Sequence, residues 1–231
     1  MSSNHNEWNT LEWLADARRL VHWINSRSIR HPTMLVIRHS HRESTKDVQI
    51  LREMHLTELG HRMANQFGER LQKQREIEIY YSSHPRCIET AQDIVDRYNE
   101  TGGHARLISN LRVLLGPKGS GGSISGEMMK IGGPEFIKRW IDGEWPKEII
   151  WPIEEFREAF IQEVIDRFHS ASKNTLQIHV THDLVLMVAK YFLFEVMPMI
   201  ENWTPYLGGF GVVRIDDQLI GYESGEERDV R

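Results

Sequence analysis

The sequence predicts a three-layer α/β/α sandwich built around a mostly parallel β-sheet. Short apolar runs alternate along the chain with longer segments whose apolar residues recur at helical spacing. Strands that alternate with helices are typical of parallel sheets, because each parallel connection needs a crossover. The 231 residues are enough for one such domain with a full core. We therefore expect a single domain with room for a small insertion.

An N-terminal helical extension is predicted for residues 1–32. Apolar residues that include Trp8, Leu20 and Ile24 recur at roughly helical spacing between positions 8 and 27. The dipeptide His31-Pro32 ends this pattern, since a residue before proline is pushed out of the helical region. The main fold is then expected to occupy residues 33–222.

The strands are predicted from short apolar runs rich in β-branched residues. Four buried strands and a terminal strand pair are expected at 33–37, 77–81, 107–114, 175–180, 211–215 and 218–222. Residues 223–231 are predicted to be a C-terminal tail.

The helices are predicted from apolar stripes at helical spacing. The expected ranges are 55–73, 86–99, 153–169 and 183–194. Thr57 is a plausible N-cap for the first of these, because its hydroxyl can accept a backbone N–H of the first turn.

Residues 115–153 have the composition of an insertion or cap over the site. They contain several glycines and prolines together with three tryptophans. Within them, residues 119–126 match neither a P-loop nor a serine-hydrolase elbow, because the required flanking residues are missing. We expect these residues to form a mobile loop.

Composition argues against several classes of partner. The formal net charge is -5 and there is no basic run, so a nucleic-acid partner is not expected. The N-terminus lacks a signal-peptide pattern, and the longest apolar stretch is too interrupted to span a membrane. The single cysteine, Cys87, excludes an internal disulfide. We expect a cytoplasmic protein without a membrane partner.

Three segments of ionisable residues each follow a predicted strand. They are Arg38 to Arg42, Ser82 to Arg86, and Thr181 to Asp183. Ligands of open α/β sheets bind outside the carboxyl ends of the strands, so these segments are expected to converge on one crevice.

The residue types in these segments predict an anion site. Arg38, Arg42 and Arg86 stay charged and match phosphate oxygens in a bidentate way. The imidazoles of His39 and His182 are nucleophilic when neutral, so one of them can attack phosphorus. Metal ions and cofactors are not required for such chemistry.

The same motifs resemble the histidine phosphatase superfamily, which includes the phosphoglycerate mutases. The resemblance is carried by Arg38-His39, by Arg86 within the run 86–91, by His182 and by the segment 56–60. It implies the phosphoglycerate mutase-like fold, with a small cap, and a phosphoryl-transfer activity.

The resemblance also implies roles for individual residues. His39 is then the phosphorylated nucleophile, and Arg38, Arg86 and His182 complete the phosphate pocket. The His-Asp motif is closer to the acid-phosphatase branch of the family. In that branch, Arg42 corresponds to a further pocket arginine and Asp183 to the proton donor. Ser40, which is also expected to contact the substrate, stands where the family usually has glycine. The other branch takes its acid from a glutamate, for which Glu89 and Glu127 are alternatives to Asp183.

The function predicted from these motifs is metal-independent hydrolysis of a phosphomonoester through a phosphohistidine on His39. The substrate is expected to be a phosphorylated small molecule or a phosphoprotein. A phosphoglycerate mutase-like phosphotransferase and a non-catalytic phosphate-binding module remain alternatives. A metal site formed by His39, His41, His182 and Asp183 is a further one. The sequence leaves the oligomeric state open.

Overall fold

The computed structural model describes residues 4–47, 49–118, 121–216 and 218–230. Seven strands within these ranges form one mixed sheet, in the order β3-β2-β4-β1-β5-β6-β7. The strands are β1 (Thr33–Arg38), β2 (Glu76–Tyr81), β3 (His104–Asn110), β4 (Thr175–Thr181), β5 (Gly209–Ile215), β6 (Gln218–Glu223) and β7 (Glu226–Asp229). The first four are mutually parallel, whereas β5, β6 and β7 extend the sheet by antiparallel pairing.

Helices cover both faces of this sheet. They are α1 (Asn4–Thr10), α2 (Ala15–Ser26), α3 (Glu58–Glu69), α4 (Pro85–Glu100), α5 (Gly121–Ile131), α6 (Gly133–Ile141), α7 (Ile153–Phe160), α8 (Asp166–His169) and α9 (Asp183–Phe194). A π-helical segment at Ile161–Ile165 joins α7 to α8, so the predicted helix 153–169 is continuous.

The alternation of side chains along β1 explains why the core has two halves. Leu35 and Ile37 point to the face covered by α2, α3 and α4, whereas Met34 and Val36 point to the face covered by α6, α7 and α9. Successive side chains of a strand point to opposite faces, so a strand that is apolar throughout must be covered on both sides. The predicted three-layer architecture is confirmed.

The N-terminal segment is part of the core. It forms two helices separated by a short turn at Glu12–Leu14, and Trp8 and Leu14 are fully buried. The carboxylate of Asp16 accepts a hydrogen bond from the backbone N–H of Gly209 at 2.9 Å. The segment therefore helps to form the layer over β1 and β5.

Three predicted boundaries are wrong. The third strand begins at His104 and ends at Asn110, because residues 112–115 turn into a short 3₁₀ helix. The predicted loop at 119–126 is helical from Gly121 onwards, whereas residues 119 and 120 lie outside the described ranges. The predicted tail contains β7, which pairs with β6 across a turn at Ser224 and Gly225, both with positive φ.

None of the helices in the described part of the chain combines the length and apolar character that crossing a membrane requires.

Candidate active site

A cavity of about 500 Å³ lies at the carboxyl ends of β1, β2 and β4. All three predicted segments contribute to its walls: the first supplies Arg38, His39 and Arg42, the second His84 and Arg86, and the third His182 and Asp183. The parallel strands end at the same edge of the sheet, so the strand-end residues are brought together.

His39 has the geometry of a nucleophile. Its Nδ1 lies 2.7 Å from the carbonyl oxygen of Ser40, which can only accept, so Nδ1 carries the proton. Its Nε2 accepts a hydrogen bond from Nε of Arg86 at 3.1 Å, so Nε2 carries the lone pair. The ring is thus held with its nucleophilic nitrogen facing the guanidinium that would bind an anion.

The surroundings of His39 keep it neutral. The side chain is buried beside Arg38 and Arg86, and burial together with these two cations holds its pKa well below the ordinary value. Only the neutral ring has a lone pair for attack, so the nucleophilic form persists at neutral and moderately acidic pH.

Arg86 is the centre of the site. Besides His39, its guanidinium donates to Nδ1 of His84 at 3.1 Å and to Nδ1 of His182 at 3.3 Å. Its NH1 donates to the carbonyl oxygen of Leu51 at 2.8 Å. Position 86 lies in the first turn of α4, which places this fixed charge at the N-terminus of the helix.

His182 is the N-cap residue of α9 and is buried. Because its Nδ1 accepts from Arg86, its Nε2 carries a proton and donates to the hydroxyl oxygen of Ser82 at 2.8 Å. Burial, Arg86 and His39 lower its pKa well below the ordinary value. His182 is therefore a neutral donor at the edge of the anion site.

Arg38 and Asp183 form an ion pair at 2.8 Å. Arg38 also donates to the carbonyl oxygen of Thr204 at 2.9 Å, and its guanidinium lies 4.4 Å from the centre of the Tyr206 ring. These contacts fix the guanidinium at the wall of the cavity.

Asp183 is held in its charged form. Burial alone would raise the pKa of its carboxyl, but Arg38, the indole N–H of Trp203 and the backbone N–H of Leu184 outweigh burial and lower it. The role of Asp183 as proton donor stays a prediction, and these contacts favour a carboxylate that neutralises Arg38.

The two alternative acids lie elsewhere. Glu89 accepts hydrogen bonds from the ring of His55 and from the backbone N–H of Leu56. Glu127 pairs with Lys130 at 2.6 Å. Neither side chain lines the cavity, and Asp183 is the one carboxylate among the described residues that does.

Ser40 is predicted to bind substrate, but it does not line the cavity. Its hydroxyl donates to the carbonyl oxygen of Gly60 at 2.7 Å, and its backbone N–H donates to the hydroxyl of Thr90 at 2.9 Å. Its φ is not positive, so the conformation does not need the glycine that the family usually has. The side chain therefore joins the loop after β1, which carries His39, to α3.

Arg42 lines the cavity as predicted. Its NH1 donates to the carbonyl oxygen of Glu43 at 2.6 Å, and its Nε has no hydrogen-bond partner in the described part of the chain. The position of its side chain in the cavity wall places a further positive charge beside Arg38 and Arg86.

His41 points away from the cavity. Its Nδ1 lies 2.8 Å from the hydroxyl of Thr57, and its ring packs on Trp13. No group of three or more potential metal ligands occurs among the residues described. The alternative metal site, which needs His39 and His41 together, does not form.

Two cavity residues with basic side chains, Arg52 and Arg112, were not predicted from the sequence. His84 belongs to the predicted segment Ser82 to Arg86 but was assigned no role there, and it is the N-cap residue of α4. With them, five arginines and one carboxylate face the cavity among the described residues. Such an excess of fixed cations selects a ligand with more than one negative charge.

The comparisons agree with this geometry. Residues 34–111 match the family model described as the histidine phosphatase superfamily (branch 1). That range includes His39 and Arg86 and ends before His182. No curated protein matches the chain significantly.

Solved structures share the fold over most of the chain. Phosphoglycerate mutase from Bacillus anthracis str. Sterne is 18% identical with a TM-score of 0.55, covering 88% of this chain and 94% of that one. A phosphoserine phosphatase mutant from Entamoeba histolytica, in complex with phosphoserine, is 16% identical with a TM-score of 0.54, covering 84% and 98%. A second phosphoserine phosphatase structure from that organism, with 3-phosphoglyceric acid, is 19% identical with a TM-score of 0.50, covering 79% and 90%.

The matched model and the shared fold confirm the resemblance to the histidine phosphatase superfamily and the phosphoglycerate mutase-like fold. Because the model is that of branch 1, the predicted closeness to the acid-phosphatase branch is not confirmed.

Proposed function

We propose that the chain is a phosphomonoester hydrolase that forms a phosphohistidine on His39. The observation that carries this proposal is the orientation of His39, whose Nε2 lone pair faces the Arg86 guanidinium inside the cavity. The match of residues 34–111 to a superfamily that includes phosphatases supports it.

The chemistry follows from the charges around the nucleophile. A phosphomonoester dianion replaces Nε2 of His39 as the acceptor of the Arg86 hydrogen bond, which frees the lone pair to attack phosphorus. Arg38, Arg42 and Arg86 then stabilise the charge on the equatorial oxygens, and loss of one such donor typically costs about 10²–10³-fold in rate. Phosphoryl transfer depends mainly on positioning and charge stabilisation, which these residues supply.

The cavity favours a phosphorylated small molecule as substrate. Its volume of about 500 Å³ is typical of sites for small organic ligands. Apart from the arginines, histidines and Asp183, the walls are largely apolar and include Leu115, Ile124, Met128 and Val185. An organic group with apolar surface, attached to the phosphate, matches these walls.

The test is hydrolysis of p-nitrophenyl phosphate in excess EDTA by the wild type and by His39→Ala. The matched control is His104→Ala, which removes an exposed histidine at the opposite end of the sheet. We expect chelator-resistant turnover by the wild type and the control, and none by His39→Ala. Protein quenched in alkali during turnover should carry an acid-labile phosphoryl group, which His39→Ala lacks.

The alternatives give different results. A mutase accumulates phosphohistidine and passes the phosphoryl group to an added hydroxyl acceptor, with little release of inorganic phosphate. A non-catalytic module forms no phosphohistidine with any phosphomonoester. Either result would overturn the proposal of a hydrolase.

A further inference from the structure

Transfer of a phosphoryl group to His39 requires an acid for the leaving oxygen, unless the leaving group is a weak base. Among the described residues, Asp183 is the one carboxylate that lines the cavity, and Arg38 holds it in the charged form. Glu89 and Glu127 lie outside the cavity walls. None of these three carboxylates is therefore suited to donate the proton to the leaving oxygen.

The ring of His84 occupies a suitable place. It lines the cavity at the N-terminus of α4, half-buried, with its ring centre 4.8 Å from that of His182. Its Nδ1 accepts a hydrogen bond from NH2 of Arg86 at 3.1 Å, so Nε2 carries the proton of the neutral ring. Nε2 forms no hydrogen bond with the described residues and is free to meet a ligand.

We infer that His84 is the proton donor to the leaving oxygen of the substrate, in the phosphoryl transfer proposed above on which this inference rests. The guanidinium of Arg86 bonds both His39 and His84, so one residue fixes the nucleophile and the acid relative to the same anion. This placement keeps the donor beside the group that binds the anion before the reaction begins.

When the substrate binds, His84 takes up its second proton from solvent at Nδ1, and NH2 of Arg86, which donates to Nδ1 of the neutral ring, turns to the phosphate. In the unliganded protein, burial, Arg86 and Arg52 lower the pKa of His84 to about 4. The groups that face the ring are Arg86 from α4, His182 from α9 and Arg52 from the short turn at Ile50–Arg52. A bound phosphomonoester dianion neutralises the arginines and favours the imidazolium, because an opposite charge nearby raises the pKa of a histidine.

Transfer of the phosphoryl group to His39 and then to water takes place in two half-reactions. Nε2 of His39 forms a bond to phosphorus while the bond from phosphorus to the leaving oxygen breaks. The Nε2 proton of the His84 imidazolium moves to that oxygen, which leaves as the neutral alcohol. In the second half-reaction, His84 takes a proton from water, the water oxygen bonds to phosphorus, and the N–P bond returns its electron pair to His39.

The test compares two substrates whose leaving groups differ in basicity. p-Nitrophenolate leaves without a proton, whereas phenolate, a much stronger base, depends on one. We expect His84→Gln to lower kcat/KM for phenyl phosphate about 10²-fold more than for p-nitrophenyl phosphate. kcat/KM is used because it reports the steps up to departure of the leaving group and excludes hydrolysis of phosphohistidine.

Asp183→Asn is measured in parallel, and His84→Asn serves as the second variant at position 84. Thermal unfolding establishes which proteins are folded. Equal losses on both substrates in the folded His84 variants overturn the inference, because a binding or packing role affects both alike. If kcat/KM falls selectively for phenyl phosphate in Asp183→Asn but not in the variants at position 84, the proton donor is Asp183 instead. Failure of the wild type to hydrolyse either substrate overturns the proposed function itself, and this result is distinguishable from the others.

Discussion

The guanidinium of Arg38 and the carboxylate of Asp183 meet at 2.8 Å, which joins the end of β1 to the first turn of α9. Both side chains are largely buried, with 12% and 28% of their surfaces exposed, so the pair is better shielded from water than a surface salt bridge. It sets the position of one cavity arginine relative to the helix that His182 caps.

The first prediction concerns Arg38→Lys. A lysine keeps the charge but lacks the planar guanidinium. It cannot bond the Thr204 carbonyl and the Asp183 carboxylate at the same time. We expect kcat/KM for p-nitrophenyl phosphate to fall about 10²-fold, as for loss of one donor to the transition state. Steady-state kinetics and inhibition by inorganic phosphate measure the effect.

The matched control for this prediction is Arg106→Lys. Arg106 pairs with Glu78 on β2 and is 63% exposed, so its replacement by lysine, which keeps the charge, alters only a surface ion pair. Equal activity of the wild type and Arg38→Lys, with the control unchanged, would contradict the assigned role of Arg38.

The site could be predicted from sequence because its main residues follow buried strands. Arg38, His39 and His182 each stand at or just after the end of an apolar run, and parallel strands bring such ends together. Arg52 and Arg112 belong to short 3₁₀ turns instead. No periodic pattern indicates where such turns lie in space, so these cavity residues could not be predicted.

Two elements of the fold, β7 and α5, lack the sequence pattern that is typical of their secondary structure. The strand β7 reads Glu-Glu-Arg-Asp and has no apolar alternation, so only its backbone pairing to β6 and the bonds of Glu227 to Trp23 and Arg27 identify it. The helix α5 begins with two glycines, which have low helix propensity. The helix forms despite that low propensity, and its Ile124 is buried against the core.

The second prediction concerns Gly60, the last residue of the segment 56–60. A Cβ on Gly60 would lie 2.2 Å from the carbonyl oxygen of His41, in the loop after β1 that carries His39. The Gly60 carbonyl also accepts the hydroxyl of Ser40, so the loop cannot move away without losing that bond. We expect Gly60→Ala to lower the free energy of unfolding by about 1–3 kcal/mol, as overpacking does.

The control for Gly60→Ala is Gly126→Ala. A Cβ on Gly126 would meet nothing within 4 Å, and the residue lies within α5. This change should raise the free energy of unfolding by up to about 1 kcal/mol, because alanine is the better helix former. Urea denaturation measures both variants, and similar values for the two would show that the contact with His41 carries no cost.

The third prediction concerns acid stability. His179 lies in the middle of β4, fully buried and stacked on Tyr80 at 5.0 Å, with neither ring nitrogen hydrogen-bonded to a described residue. Burial and Arg167 lower its pKa to about 3. Below the ordinary histidine pKa of about 6.5, the unfolded chain therefore binds the proton and the folded protein does not. The contribution of His179 to stability is present above pH ~6.5 and is lost as the pH falls towards ~3.

His179→Phe should remove this dependence. Between pH 7 and pH 5, the free energy of unfolding of the variant should fall by about 2 kcal/mol less than that of the wild type. Urea denaturation at the two pH values measures the difference. Tyr80→Phe is the control, since it keeps the stacked pair of rings and the titrating His179, and should retain the wild-type dependence. Parallel pH dependences in all three proteins would show that His179 is not buried in the neutral form.

The fourth prediction concerns a buried ion pair away from the cavity walls. Nζ of Lys190 on α9 lies 3.1 Å from a carboxylate oxygen of Glu223 at the end of β6, and the side chains are only 3% and 2% exposed. Lys190→Met leaves the carboxylate of Glu223 buried without its partner. Removing one member of a buried pair typically costs about 3–5 kcal/mol, so we expect a loss of this size in the free energy of unfolding.

The double variant Lys190→Met/Glu223→Leu tests the cause of that loss. It removes both charges and replaces them with apolar side chains, so most of the lost stability should return, because an apolar pair can match a buried ion pair. Urea denaturation of the wild type, both single variants and the double variant gives the interaction energy as a double-mutant cycle. If the losses of the single variants simply add in the double variant, Lys190 and Glu223 do not stabilise one another and the packing of α9 on β6 depends on each side chain separately.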